Sequence, residues 1–217
     1  RGIKATNQFY NKRKAHLQKR FRKTGTTPRM ERMTKKRNRR IDHDLHTASR
    51  FIVALLVSEG IGTLAIGKNA GWKQEARLGH RTNQHFVQIP HARFIQMLTY
   101  KAEAVGIRVL LTEESYTSKA SFLDRDPLLT WRSGQKSEQT FSGKRIKRGL
   151  YRAKDGTLIN ADINGAGNIL RKVVPNAFGP KGIEDGVGHS PVVHPVRIVI
   201  PRTNPKTMAL PGTVRIR

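Results

Sequence analysis

Asp162 is the residue whose setting first suggests chemistry. It lies in the run Leu158-Ile159-Asn160-Ala161-Asp162-Ile163-Asn164-Gly165-Ala166-Gly167-Asn168-Ile169-Leu170, which reads as the opening of a helix. Asn160 suits the N-cap, and Ile163, Ala166, Ile169 and Leu170 recur at helical spacing as an apolar stripe. The positive end of a helix dipole favours a carboxylate in the first turn. On these residues two readings of Asp162 stay open: a helix-start acid that helps the cap, or a metal-ligand carboxylate at the core edge. Glu113 and Glu114 are the other acids in a telling place. They follow the apolar run Ile107-Arg108-Val109-Leu110-Leu111-Thr112, just past the carboxyl end of a predicted strand, where sites gather in α/β sheets. The plain alternative is a solvent-exposed acidic pair.

The elements that must position these acids can be read from periodicity. Leu45, Ala48, Ile52, Leu55 and Leu56 mark an amphipathic helix from about residue 41 to Glu59, ended by Gly60. Thr63-Leu64-Ala65-Ile66-Gly67 reads as a short buried strand. Residues 68–88 read as a polar surface loop, in which Trp72 either stacks on a base or pins the loop. Pro90 suits the first helical position, Phe94, Met97, Leu98 and Ala102 form a buried face, and Gly106 ends that helix. The strand over 107–112 follows. The order helix, strand, helix, strand implies parallel neighbours in an α/β sheet. Residues 115–157 lack core periodicity and read as an insertion. Phe122, Leu123, Leu128, Leu129 and Trp131 offer a small apolar patch there, and Lys144, Arg145, Lys147 and Arg148 a basic cluster. The last helix stops before Pro175, and residues 175–217, rich in Pro and Gly, read as a loosely ordered tail with a possible edge strand at 196–200.

Charge points to the partner. The chain of 217 residues carries a formal net charge of +27, and nucleic acid is the default partner for such a surplus. Residues 1–50 hold 17 Lys and Arg against three acidic residues. The stretches 7–23 and 29–40 read as basic helices displayed to a polyanion and broken by Thr24-Gly25-Thr26-Thr27-Pro28. Each Lys or Arg set on a phosphate releases a counterion and adds sequence-independent affinity. The absence of cysteine excludes disulfides and cysteine-ligated zinc. No apolar run reaches membrane-spanning length and no signal-peptide pattern opens the chain, so a cytoplasmic protein without a membrane partner is expected. The chain does not begin with Met and is expected to be a fragment.

Several words in the sequence resemble the transposon-encoded OrfB family, also called TnpB. They are Asn7-Gln8-Phe9-Tyr10-Asn11-Lys12-Arg13-Lys14-Ala15, Lys36-Arg37-Asn38-Arg39-Arg40-Ile41, Ile66-Gly67-Lys68-Asn69, Tyr100-Lys101-Ala102-Glu103, Tyr116-Thr117-Ser118-Lys119 and the run from Asp162 to Leu170. Their order and spacing are similar to the family's over roughly residues 1–175. The resemblance implies an RNA-guided DNA nuclease carried by an insertion sequence and related to type V CRISPR effectors. It implies an α/β fold: a RuvC-like (ribonuclease H fold) mixed sheet with flanking helices, preceded by a basic helical arm. The expected division is 1–40 as that arm or an insertion of the nuclease domain, 41–114 as RuvC-like core, 115–157 replacing the family's zinc ribbon, 158–174 as the last core helix and 175–217 as tail.

The resemblance also implies the site. RuvC-type chemistry uses three carboxylates to hold two divalent metals about 3.5–4 Å apart, and Mg²⁺ (or Mn²⁺) suits oxygen ligands. The family's third acid opens a helix in a D-x-N-x-x-x-N-I pattern, which Asp162, Asn164, Asn168 and Ile169 fit. Most relatives carry the second acid at the end of the strand that here ends in Gly67, which cannot bind metal. Some carry it three residues before the Thr-Ser pair, where Glu114 stands, with Glu113 as its rival. The first acid would lie upstream of Arg1, so this chain as written is not expected to cut DNA. Zinc is not expected, since Ala120-Ser121-Phe122-Leu123-Asp124-Arg125-Asp126 replaces the family's cysteines. Asp124 and Asp126 could be ligands, but read first as surface-turn residues. Thr117 and Ser118 either position the turn or touch phosphate. DNA and a guide RNA are the implied partners, gripped by Lys12, Arg13, Lys14, Arg37, Arg39, Arg40 and Lys119. Two readings of other classes remain: a nuclease-dead, RNA-guided DNA-binding protein or decayed transposon remnant, and a structural RNA-binding protein.

Overall fold

The computed structural model describes residues 2–21, 25–68, 89–130, 139–176 and 178. The elements are α1 (Ile3–Phe21), α2 (Pro28–Ser58), β1 (Thr63–Gly67), α3 (His91–Glu103), β2 (Arg108–Thr112), β3 (Lys144–Lys147), β4 (Leu150–Arg152), β5 (Leu158–Asn160) and α4 (Ala161–Val173). The architecture is mixed α/β, and the chain forms two compact units. No helix among the described residues is long and apolar enough to cross a membrane.

The first unit is built on α1, α2 and α3. Thr27 caps α2 by accepting from the Met30 amide at 3.3 Å, and Pro28 sits in the first turn. With no Gly or Pro after that turn, the charged stretch 29–40 and the apolar-periodic stretch from Ile41 are one helix of 31 residues. Ile41 and Leu45 meet Met97 of α3, with Ile3 and Phe94 packed against them. Lys101 adds a polar tie, donating to the His46 carbonyl at 2.9 Å and the Ser49 hydroxyl at 2.6 Å. The α1 helix has an inner side as well as a displayed one: Asn7 and Leu17 are buried. Its seat on α2 is partly polar. Arg37 Nε donates to Asn7 Oδ1 at 2.9 Å, its guanidinium lies 5.2 Å from the Tyr10 ring centre, and the Tyr10 and Thr34 hydroxyls are 2.8 Å apart.

The second unit holds β1, most of β2, the strands β3–β5 and α4. Among the described residues the strands of the expected mixed sheet form a parallel pair and an antiparallel sheet. In the first, β1 and β2 run parallel, with Arg108 N–H on the Gly62 carbonyl at 2.9 Å and Lys68 N–H on that of Thr112 at 2.7 Å. In the second, β3, β4 and β5 are antiparallel in sequence order. Short connections favour this local pairing. Gly149 makes the β3–β4 turn with φ +79°, a conformation that penalises any side chain.

Three further expectations change. Residues 158–160 form a strand paired with β4, not the start of the helix, because Ile159 faces the core while Asn160 caps α4. The strand β1 is half-buried rather than buried. The segment 115–157, read as lacking a core element, contributes Phe122 and Tyr151 to a core with Ile159 and Ala161, with Leu123, Ile163 and Phe178 against it. The loop 69–88 with Trp72, Trp131, and residues 179–217 with the possible strand at 196–200 lie outside the described residues.

Candidate functional site

The parallel pairing of β1 and β2 brings their carboxyl ends side by side. Gly67 ends β1, and Glu113 and Glu114 follow β2. The Glu114 side chain lies where a side chain on residue 67 would begin. A Cβ on Gly67 would stand 2.5 Å from both Cγ and Oε1 of Glu114 and 2.8 Å from Cδ1 of Ile169 on α4. Only glycine leaves that space open.

The two glutamates have different surroundings. Glu113 Oε1 pairs with the ammonium of Lys172, and its Oε2 accepts from the Ser115 amide at 2.7 Å. Burial pushes Glu113 up, but the bonds from Lys172 and Ser115 and the Lys172 charge outweigh it, and the carboxyl rests below its ordinary value. Burial, and secondarily the charge of Glu113, pushes Glu114 above its ordinary value. Thr117 fixes the Glu114 backbone: its amide and hydroxyl both donate to the Glu114 carbonyl, at 3.2 and 2.9 Å. Thr117 is buried and positions the turn, whereas Ser118 is exposed.

The helix α4 holds this turn. Asn160 caps it as expected, accepting from the Asp162 and Ile163 amides at 2.9 and 3.2 Å. Asp162 is exposed in the first turn. The buried face differs from the predicted apolar stripe. Ala166 is exposed, and the buried residues are Ala161, Asn164 and Asn168. Asn164 donates to the Ala120 carbonyl at 2.9 Å and accepts from the Phe122 amide at 2.9 Å. Asn168 donates to the carbonyls of Thr117 and Ala120 at 3.0 and 2.8 Å and accepts from Arg171 at 3.0 Å. Lys172, a turn further, is 8% exposed in its side chain and donates to Glu113 and to the carbonyls of Ser115 and Leu129 at 2.9 and 3.2 Å. Gly167 lets the helix approach the Phe122 ring, which a Cβ would meet at 2.6 Å. So α4 bears Asp162 and also clamps the segment that orients Glu114. Sequence reasoning assigned Asn164 and Asn168 no such role and missed Lys172. The signal was their spacing at i, i+4 and i+8, which sets all three on one helix face.

Asp126 departs from its expected surface turn. It is buried and accepts from Ser121 and Ser142, while the half-buried Asp124 accepts from the Lys154 amide at 2.9 Å. No group of three or more His, Cys, Asp and Glu able to hold a metal ion occurs among the described residues.

The candidate phosphate-binding residues fall into both units. Lys12 and Arg13 are exposed on α1 and Lys14 is half-buried. Arg39 and Arg40 are exposed on α2, whereas Arg37 is half-buried in its clasp with Asn7 and Tyr10. Lys119 is exposed in the second unit. Absent from the expected grip, though its charge was visible, is the β3–β4 hairpin, where Lys144, Arg145, Lys147 and Arg148 are all exposed. Phe141, Lys144, Arg152, Lys154 and Asp155 line a groove of about 500 Å³ beside it.

Two family models match successive parts of the chain. Residues 1–73 match the OrfB_IS605 family, described as "Probable transposase". Residues 91–169, which include Glu113, Glu114 and Asp162, match "Cas12f1-like, TNB domain". No curated protein matches the chain. The two family matches succeed one another along the chain, and the chain belongs to the transposon-encoded OrfB (TnpB) family, related to type V effectors.

Proposed function

We propose that the chain is part of an RNA-guided, metal-dependent DNA endonuclease with a RuvC-like domain of ribonuclease H fold. Its acids are Glu114 and Asp162. The observation that carries this reading is the Glu114 side chain lying over Gly67. The acid that most relatives keep on the first of these strand ends has moved to the neighbouring one, and glycine makes room for it. The pairing of Glu113 with Lys172 favours Glu114 over Glu113 as the ligand.

The donor set suits Mg²⁺ or Mn²⁺ in kind, being hard carboxylate oxygen, but not in number, since no three-ligand group occurs among the described residues. Glu114 and Asp162 would therefore hold the metal with an acid from outside those residues. When bound, the metal would activate water and stabilise the leaving oxygen. The remaining work belongs to the chain itself. Thr117, Asn164, Asn168 and Lys172 orient Glu114. Lys12, Arg13, Lys14, Arg39, Arg40 and Lys119 hold a guide RNA–DNA duplex by shape and charge while base pairing reads sequence, and Arg37 ties α1 to α2 instead. A cytoplasmic location accords with this role.

The test is Mg²⁺-dependent cleavage of guide-matched DNA by the protein as its element encodes it, beside the Glu114→Gln and Asp162→Asn forms. Both variants should bind DNA and fail to cut it. Cleavage that survives Asp162→Ala would sink the assignment. Gly67, standing where most relatives keep an acid, favours a second reading, a nuclease-dead RNA-guided DNA-binding protein. Guide-dependent binding by the wild type with no cleavage at any Mg²⁺ or Mn²⁺ concentration would select it.

A further inference from the structure

The zinc ribbon that the resembling family carries does not fit the residues present. Structural zinc takes four sulfur or nitrogen ligands in a tetrahedron. The chain has no cysteine, and the described residues hold no cluster of three or more potential ligands. Both aspartates of the segment are already engaged by hydrogen-bond donors.

We infer that the Asp126 carboxylate is the organising centre of this segment and does by hydrogen bonds what a structural metal ion does in a zinc ribbon. A ribbon's metal ties two separate turns to one point. Asp126 does the same. Its Oδ2 accepts from the Ser121 amide at 2.7 Å and from the Ser142 amide at 3.1 Å. Its Oδ1 accepts from the Ser142 hydroxyl at 2.5 Å and, more weakly, from the Ser142 amide at 3.3 Å. The turn 121–126 and the segment entering β3 are thereby joined across 16 residues of sequence. The same residue reaches a third element through its own carbonyl, which accepts from Arg171 of α4 at 3.2 Å. Asp126 is 5% exposed and its bond from the Ser121 amide is buried, so that bond escapes most competition from water, while those from Ser142 are part-buried.

The surroundings are built for this centre. Ser121, fully buried, accepts from the Asp124 amide at 3.2 Å through its hydroxyl, closing the turn from within. Arg125 takes a φ of +55°, a conformation that a side-chain-bearing residue holds only when its neighbours are fixed. Tyr151, buried in the core beneath, donates to the Lys119 carbonyl at 2.8 Å and so secures the other end of the turn. The consequence concerns the basic hairpin. Ser142 stands two residues before β3, so the carboxylate fixes where Lys144, Arg145, Lys147 and Arg148 emerge, and it does so without metal.

This inference does not depend on the endonuclease reading, and its test reads folding rather than cleavage. The full chain is purified from zinc-supplemented medium. Zinc content, thermal unfolding with and without a chelator, and the rate of limited proteolysis between residues 139 and 157 are measured for the wild type, Asp126→Asn and Ser142→Ala. The expected result is no stoichiometric zinc and a melting temperature indifferent to chelator. Cleavage in that segment should quicken about tenfold or more in Asp126→Asn and severalfold in Ser142→Ala, following the loss of charge-assisted bonds and of one such bond. If Asp126→Asn does not accumulate as folded protein, Ser142→Ala carries the test. One zinc per chain with chelator-sensitive melting would overturn the inference, as would unchanged proteolysis in the variants that fold.

Discussion

Replacing Gly67 with alanine tests the candidate site with one methyl group. The new Cβ would lie 2.5 Å from Cγ and Oε1 of Glu114 and 2.8 Å from Cδ1 of Ile169, against about 3.5–4.0 Å for ordinary carbon contacts. Something must move by roughly 1 Å. The Ile169 methyl is a side-chain end and can turn aside. Glu114 has less freedom, because Thr117 holds its carbonyl through both amide and hydroxyl. Its side chain must therefore swing off the strand end. Over-packing of this kind costs about 1–3 kcal/mol, whereas a 1 Å misplacement of a reacting group costs on the order of a hundredfold in rate. Urea denaturation of Gly67→Ala should show a loss near the lower end of that range. Mg²⁺-dependent cleavage by the intact element-encoded protein should fall about a hundredfold, more than the stability loss explains. Adding Glu114→Ala removes the clash, so a double-mutant cycle should return a coupling energy of about 0.5 kcal/mol or more. An additive cycle, or wild-type cleavage by Gly67→Ala, would refute the claim that the Glu114 side chain occupies this place for a catalytic reason.

Two other outcomes follow from the same contacts. Lys172→Met should destabilise the chain by about 2–3 kcal/mol, since it leaves Glu113 and two carbonyls without their shared donor. Because Glu113 lies below its ordinary value of 4.5 when folded, its stabilising contribution is full above that pH and is lost as pH falls through the folded value. Wild type and Lys172→Met should thus converge in acid, and a stability gap that widened below pH 4.5 would contradict the pairing. On α2, Arg37→Ala should lower the melting temperature through the lost clasp with Asn7 and Tyr10. Arg39→Ala should leave melting unchanged and reduce the salt slope of nucleic-acid binding by about 1. Equal effects of the two on melting would show that exposure does not separate their roles.

Much of the fold was legible where one force dominated. The strand over 63–67 and the helix ending at Gly106 have clean apolar periods and proper stops, and the structure follows them. The helix α2 shows the limit of composition. A change from charged to apolar-periodic residues near Ile41 looked like a boundary, yet nothing there interrupts backbone hydrogen bonding, and the helix runs through. The β3 strand was hidden for a related reason. Its residues Lys144-Arg145-Ile146-Lys147 are all exposed, so no alternation of burial marks them, and their pairing rests on a turn at Gly149 and on Tyr151 across the ladder.

The supports of the candidate acids were opaque in the sequence, and α4 shows why. A periodicity reading assigns the buried face to apolar residues, so it chose the stripe through Ala166. The helix instead turns Asn164, Asn168 and Lys172 inward, because the segment packed against it presents unpaired carbonyls and a carboxylate that only hydrogen-bond donors can satisfy. Those contacts are long-range, up to 59 residues apart, and no local pattern announces them. The D-x-N-x-x-x-N word therefore joins two separable jobs. The asparagines clamp a turn and would be kept by any chain that needs this fold. The exposed Asp162 stands outside that clamp, and the proposed catalytic role rests on it rather than on the asparagines. Losing Asp162 would take no bond from the clamp, whereas losing Asn168 would leave the Thr117 carbonyl without its donor and the Ala120 carbonyl with Asn164 alone. Catalytic inference in this family should then rest on the acid and on what stands at position 67, and structural inference on the amides.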